Sequence, residues 1–180
     1  MKLINSETVY TNISPETISL ISKSLNDKWA NTPLAGLPYL QPGAKGAFGE
    51  AMLTDILTSL GHIVRGKENP GHDRFVGEIK VEIKFSALNA SNGFIFNHFG
   101  VGKDWERAIL VAHTVEDSTI IWFTKADFTT HLQDTYNFFS RQQGGEGGGN
   151  DDWMYNTTRS KANAWENFLK LPWVKSFEEW

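Results

Sequence analysis

A mixed α/β (α+β) domain with a central mixed β-sheet flanked by helices is the fold class this sequence predicts, and three observations carry it. Apolar residues recur every four positions between Ala44 and Leu60. Charged and apolar residues alternate from Ile79 to Ser86, and two more apolar runs follow at Ala108 to His113 and Thr119 to Phe123. With 180 residues, 40% hydrophobic and 21% charged, the chain fits a single domain without internal repeats.

Ser14-Pro15-Glu16 has the form of a helix start, an N-cap followed by proline in the first turn. Ile18, Ile21, Leu25 and Trp29 extend it as an apolar stripe, so a first helix is expected over residues 15–30. Pro33, Pro38, Pro42 and Gly43 punctuate a connecting loop, and a second helix runs from Ala44 to Leu60. Its stripe is Phe48, Met52, Ile56 and Leu60, widened by Leu53 and Leu57, and Gly61 stops it. The period then becomes twofold. Strands are expected at His62 to Arg65, at Asp73 to Val76 and, after a Gly77-Glu78 hairpin turn, at Ile79 to Ser86. Gly93 to Asn97 is a further apolar segment, Glu116-Asp117 turns between the two later strands, and a helix follows from Lys125 to Leu132. The core is thus expected over about 44–132. A flexible glycine-rich loop at 142–152 and an aromatic tail at 153–180, helical near Ala162 to Lys170, complete the chain.

Charge and composition narrow the function. Lys and Arg number 17 against 21 Asp and Glu, a formal charge of -4, which argues against a polycation that coats nucleic acid or membrane. The absence of cysteine removes disulfides, thiolate nucleophiles and cysteine-based zinc sites. Polar residues interrupt the start at once and no run is long enough to span a bilayer, so a cytoplasmic, intracellular protein without membrane association is expected.

The chemistry concentrates at four side chains. The Gly77-Glu78 turn folds Asp73 back toward Glu82, so two carboxylates converge. Glu82 and Lys84 share one strand face about 6–7 Å apart, from the strand rise. Converging carboxylates repel unless a cation neutralises them, and Mg²⁺ takes such oxygen ligands together with substrate phosphate. A lysine beside that pair is placed to orient water for phosphodiester hydrolysis. Glu50 lies about 20° from Leu57 around its helix, at the border of the apolar stripe, from where it reaches the sheet to support a second metal or hold Lys84. The alternative is that Lys80, Glu82 and Lys84 form an ordinary solvated strand face.

The joint pattern Phe48-Gly49-Glu50, Asp73 and Val81-Glu-Ile-Lys-Phe85 resembles the PD-(D/E)xK nuclease superfamily, and within it the type II restriction endonuclease-like proteins. The match covers about Lys45 to Phe128. The residue before Asp73 is His72 rather than proline, a departure from the pattern. The resemblance implies a restriction endonuclease-like core and a DNA endonuclease. It further implies that Asp73, Glu82 and the backbone carbonyl of Ile83 bind Mg²⁺, with Mn²⁺ as substitute, that Lys84 positions the attacking water, and that Glu50 assists. Asn97 and His98 occupy polar positions near the cleft of such enzymes. A DNA repair or junction-resolving nuclease and a non-catalytic nucleic-acid-binding relative are the alternatives.

Other motifs fail. Gly100-Val-Gly-Lys103 lacks the hydroxyl residue after its lysine, no His-x-x-x-His pair occurs, and no Gly-x-Ser-x-Gly elbow is present. His72 is expected as a solvent-exposed turn residue, with contact to the metal site or a phosphate as the alternative, and His113 as the end of a core strand. An acidic protein that holds a DNA duplex needs a local cationic cleft. Its candidates are Lys45, Arg65, Lys67, Arg74, Lys103, Arg107, Arg141, Arg159 and Lys161, with Asn92, Asn97, Gln142, Gln143 and Asn150 able to read base edges. A homodimer is expected on double-stranded DNA, because twofold protein symmetry matches a palindromic site. Trp153, Trp165, Trp173 and Trp180 are expected to pack the tail or a dimer contact.

Overall fold

The nine-residue strand Ile79–Ala87 organises the molecule, which is a computed structural model described for residues 4–5, 11–19, 29, 31–89, 91–132, 138–141, 152–157 and 163–180. In chain order the described strands are β1 Ile4–Asn5, β2 Val64–Gly66, β3 Arg74–Val76, β4 Ile79–Ala87, β5 Ile95–Gly100, β6 Arg107–His113, β7 Asp117–Thr124, β8 Phe139–Arg141, β9 Asp152–Asn156 and β10 Lys175–Ser176. The helices are α1 Pro15–Ser19, α2 Pro42–Ser59, α3 Lys125–His131 and α4 Ala164–Phe168. The main sheet has the order β1-β7-β6-β4-β3-β2, with β10 also paired to β7. It is mixed: β4 and β6 run parallel, and the other neighbours are antiparallel. The predicted mixed α/β class with a central mixed sheet is what the chain adopts.

Alternation along the strands builds two cores. Ile109 and Val111 of β6 join Val81 and Ile83 of β4 in a core with the α2 residues Phe48, Met52, Leu53, Ile56 and Leu57. Ala108, Leu110 and Ala112, on the other face of β6, join Phe99, Phe123, Phe128, Tyr155 and Phe168 in a second core. A strand buried on both faces reads as a continuous apolar run, as β6 does.

Several boundaries differ from the sequence reading. Helix α2 begins at Pro42 because proline at the first helical position loses no hydrogen bond, and it ends before Leu60, which is 59% exposed rather than part of the stripe. Gly61, at φ 87°, follows the helix as expected. Of the helix expected over residues 15–30 the described part is Pro15–Ser19, with the Ser14 hydroxyl accepting from the Thr17 amide; Ile21 and Leu25 lie outside the described residues, Trp29 is buried, and Thr11 and Asn12, just before Pro15–Ser19, are helical as well. Strand β2 starts at Val64 and leaves Ile63 exposed.

The largest difference is a second sheet of order β5-β9-β8. The sequence reading has Trp153 opening the tail, whereas Asp152–Asn156 is the central strand of this sheet, and only residues 142–151 of the expected loop lie outside the described residues. Strands of three to six residues joined across a long stretch of chain carry little local periodicity, and their pairing is fixed by the aromatic core beneath them. Trp173 is buried in that core, Trp153 and Trp165 pack against it, and Trp180 packs on Trp122, so the tail lies on the body.

Candidate functional site

The hairpin register places the site. Arg74 pairs with Val81 and Val76 with Ile79 around a turn at Gly77, whose φ of 59° suits glycine, so Asp73 stands where the chain runs beside Glu82. The Asp73 amide donates to the Val81 carbonyl at 2.9 Å, and its carboxylate oxygen Oδ2 accepts from the Ile83 amide at 2.8 Å. Burial, then the neighbouring Glu82, push the Asp73 carboxyl above the usual carboxylate range, while the Ile83 hydrogen bond, Lys84 and Lys103 pull against that shift.

Strand alternation sends Val81, Ile83 and Phe85 toward α2 and Glu82, Lys84 and Ser86 toward the second sheet. The face is not the solvated one that alternation alone would allow. Glu82 is 1% exposed, and its Oε1 accepts from Lys84 Nζ at 2.5 Å and from Lys103 Nζ at 3.0 Å. Lys84 also lies 5.7 Å from the centre of the Phe99 ring. Lys80, on the same face, donates to Asp104 at 2.7 Å. The Ile95 amide donates to Ser86 Oγ at 2.9 Å, which fixes β5 over β4.

Between these elements opens a cleft of about 490 Å³ lined by Asp73, Glu82, Ile83, Lys84, Asn97 and Lys103 among others. The four residues singled out in the sequence, Glu50, Asp73, Glu82 and Lys84, all border it. Glu50 makes a different contact from the expected one. Its Oε2 accepts from Arg74 at 3.0 Å rather than from Lys84, and burial, then Asp73, raise its carboxyl. Arg74, expected as a DNA contact, is engaged with Glu50, with the Asp73 carbonyl at 2.7 Å and with Thr54 at 3.3 Å. That network ties α2 to the hairpin.

Of the other DNA candidates, Lys45, Asn97, His98 and Lys103 line the cleft. Lys45 donates to the Pro38 carbonyl at 2.9 Å, and burial lowers its pKa. His98, at φ 61° in the bulge of β5, has Nδ1 3.1 Å from Asp152 Oδ2. Asn97 Oδ1 is buried without a hydrogen-bond partner. Asn92, at φ 55°, sits in a turn closed on Asn89, and Arg141 on β8 lies over Trp153; neither borders the cleft. Arg65 pairs with Glu78, and Arg107 is held between the rings of Trp122 and Trp180. Gln142, Gln143, Asn150, Arg159 and Lys161 lie outside the described residues.

Histidine 72 departs from expectation. It is 1% exposed rather than solvated, packs edge-on to Phe75 with ring centres 4.6 Å apart, and has both ring nitrogens buried without partners. His113 ends β6 as expected, buried, with Nδ1 2.6 Å from Ser118 Oγ. The residue whose role the sequence reading missed is Lys103 as a partner of Glu82. Its signal is Gly100-Val-Gly-Lys103, a glycine turn that delivers a lysine although it fails as a phosphate loop.

The donor set suits a hard divalent cation. Two carboxylates reach one cleft; burial, then the neighbouring Glu82, raise Asp73, and positive charge standing between the two relieves the second of these. Among the described residues no group of three or more carboxylate or imidazole side chains gathers into a metal cage, so ligands beyond Asp73 and Glu82 would be backbone, water and substrate oxygens. Among the described residues no helix is long and apolar enough to cross a membrane. No protein-family model matches the chain, and a search of curated proteins finds no match.

Proposed function

We propose that this protein is a Mg²⁺-dependent endonuclease that hydrolyses DNA phosphodiester bonds within a restriction endonuclease-like core. One observation carries the reading: Glu82 is buried at a cleft, beside Asp73, with the ammonium of Lys84 in contact with it. Burying a carboxylate pair is costly, and a fold retains such a pair where its charge is used.

Asp73, Glu82 and the Ile83 carbonyl would hold Mg²⁺, or Mn²⁺ in its place. The bound ion supplies neutralisation of the charge that builds on the phosphoryl oxygens. Lys84 Nζ, held beside Glu82, orients a water for in-line attack on phosphorus. The water oxygen bonds to phosphorus as the bond to the leaving sugar oxygen breaks, and the water's proton passes to solvent while the leaving oxygen gains one. Arg74 holds Glu50 at the cleft wall and so positions the hairpin that carries Asp73.

One observation favours a second reading, a nucleic-acid-binding module without catalysis. Lys84 and Lys103 already offset the charges of Glu82 and Asp73, so the site is balanced without a metal. Plasmid incubation with Mg²⁺ or with EDTA separates the two. The nuclease nicks only with Mg²⁺, whereas the module retards DNA under both conditions and never nicks it. Mapping the ends of cut mixed-sequence DNA then assigns the role: discrete ends indicate restriction, and branch-dependent or scattered ends indicate repair or processing.

A further inference from the structure

Glu82 receives more positive charge than one carboxylate balances. Lys84 and Lys103 both donate to the same oxygen, Oε1, of a side chain that is 1% exposed. Like charges brought that close repel. They are tolerable because Asp73 stands near both lysines, so two carboxylates and two ammoniums offset one another. A divalent cation at Asp73 and Glu82 would add two positive charges and compete for the oxygen that the ammoniums occupy. One lysine must then leave.

The structure distinguishes which. Lys84 is carried by the central strand β4, its side chain is 13% exposed and its ammonium lies over Phe99. Lys103 has a side chain 36% exposed and comes from the turn between β5 and β6. The backbone of that turn is pinned, while the ammonium at the end of its four-carbon stem is held by acceptors alone. Trp105 Nε1 and the Lys103 amide donate to the Gly100 carbonyl at 2.9 and 3.2 Å, and Lys125 Nζ donates to the Lys103 carbonyl. The stem of Lys103 crosses the bare Cα of Gly100, where a Cβ would lie 2.8 Å from Lys103 Cγ. The His98 carbonyl, 3.5 Å from Nζ, gives the ammonium a second acceptor at the mouth of the cleft.

We infer that Lys103 is an exchangeable phosphate-binding lysine, which rests on Glu82 in the ion-free protein and passes to a substrate phosphodiester when a divalent cation takes Glu82. The substrate class rests on the proposed nuclease reading; the exchange rests on the geometry of Glu82. Calcium or magnesium alone would loosen the lysine, and DNA would capture it.

The test uses the full chain as wild type, Lys103→Met, which keeps the stem over Gly100, and Lys103→Gln, with thermal unfolding to confirm that each is folded. Mn²⁺ binding followed by electron paramagnetic resonance without DNA should tighten about fivefold or more in both variants, because a competitor for Glu82 has been removed. In Ca²⁺, affinity for a short DNA duplex should fall, and the salt dependence of binding should drop by about one phosphate contact. Lys103→Arg should restore the duplex affinity. Mn²⁺ affinity that is unchanged or weaker in both variants, no Mn²⁺ binding in any of the proteins, or duplex binding indifferent to position 103 would overturn the inference. Plasmid cleavage separates its failure from failure of the nuclease reading. Wild type that nicks DNA while the variants gain no Mn²⁺ affinity refutes the exchange alone, and tightened Mn²⁺ binding with intact plasmid refutes the nuclease alone.

Discussion

Replacing Gly49 with alanine tests whether the site depends on close contact between α2 and β4. A Cβ at Gly49 would lie 2.1 Å from Phe85 Cβ and 2.5 Å from Phe85 Cγ, well inside ordinary contact, which begins at 3.4 Å. Neither partner is a flexible chain end: Phe85 Cβ moves only with the strand that carries Glu82 and Lys84. Helix and strand must therefore separate. Overpacking of this kind costs about 1–3 kcal/mol, against a helix-propensity gain of about 1 kcal/mol for alanine over glycine. Gly46 lies one turn earlier on the same helix, and a Cβ there meets nothing within 4 Å. Gly46→Ala should thus raise stability by up to about 1 kcal/mol, while Gly49→Ala lowers it by up to about 2 kcal/mol, a difference measurable by urea unfolding. Displacement of the strand should also lower any cleavage rate in Gly49→Ala more than in Gly46→Ala. Equal stability of the two variants would refute the packing argument.

Three further outcomes follow from the charged groups. Asp73 is raised by burial and by Glu82, so without divalent cation its ionisation opposes folding; stability should rise as pH falls through its native pKa toward the ordinary aspartate value of 3.8, and Asp73→Asn should raise the midpoint of thermal unfolding at neutral pH in EDTA. His113 behaves oppositely, because burial lowers its pKa from 6.5 to about 4: the native state resists protonation, and stability should fall by about 3 kcal/mol as pH drops from 7 to 4, a loss that His113→Gln should largely remove in urea titrations. Arg74→Met leaves Glu50 half-buried without its partner and should cost about 1–3 kcal/mol by the same measurement, with suppression of the loss by the double variant Glu50→Gln, Arg74→Met.

What the sequence could reveal tracks the distance over which each contact is made. The hairpin that brings Asp73 to Glu82 was legible because Gly77-Glu78 fixes its register within ten residues. Helix α2 is legible from its repeat, although Pro42, which the proline spacing assigns to the loop, is a good first helical residue because it has no amide to leave unpaired. Glu50 was correctly placed at the sheet, but its partner depended on the side from which Arg74 approaches, which alternation does not state. Burial of Glu82 and the contact with Lys103 were not legible, since both require β5 to fold over β4 and β9 to cross from a segment more than fifty residues later. His72 was misread because a Gly-His-Asp turn suggests solvent, while the packing of Phe75 against it is a tertiary fact.

The most direct test of the central claim is supercoiled-plasmid cleavage in Mg²⁺ by wild type and Asp73→Asn side by side. The account predicts that the wild type nicks and that the asparagine variant, though folded and more heat-stable in EDTA, leaves the plasmid intact. An Asp73→Asn protein that cuts as fast as the wild type, or a wild type that never cuts, would contradict it.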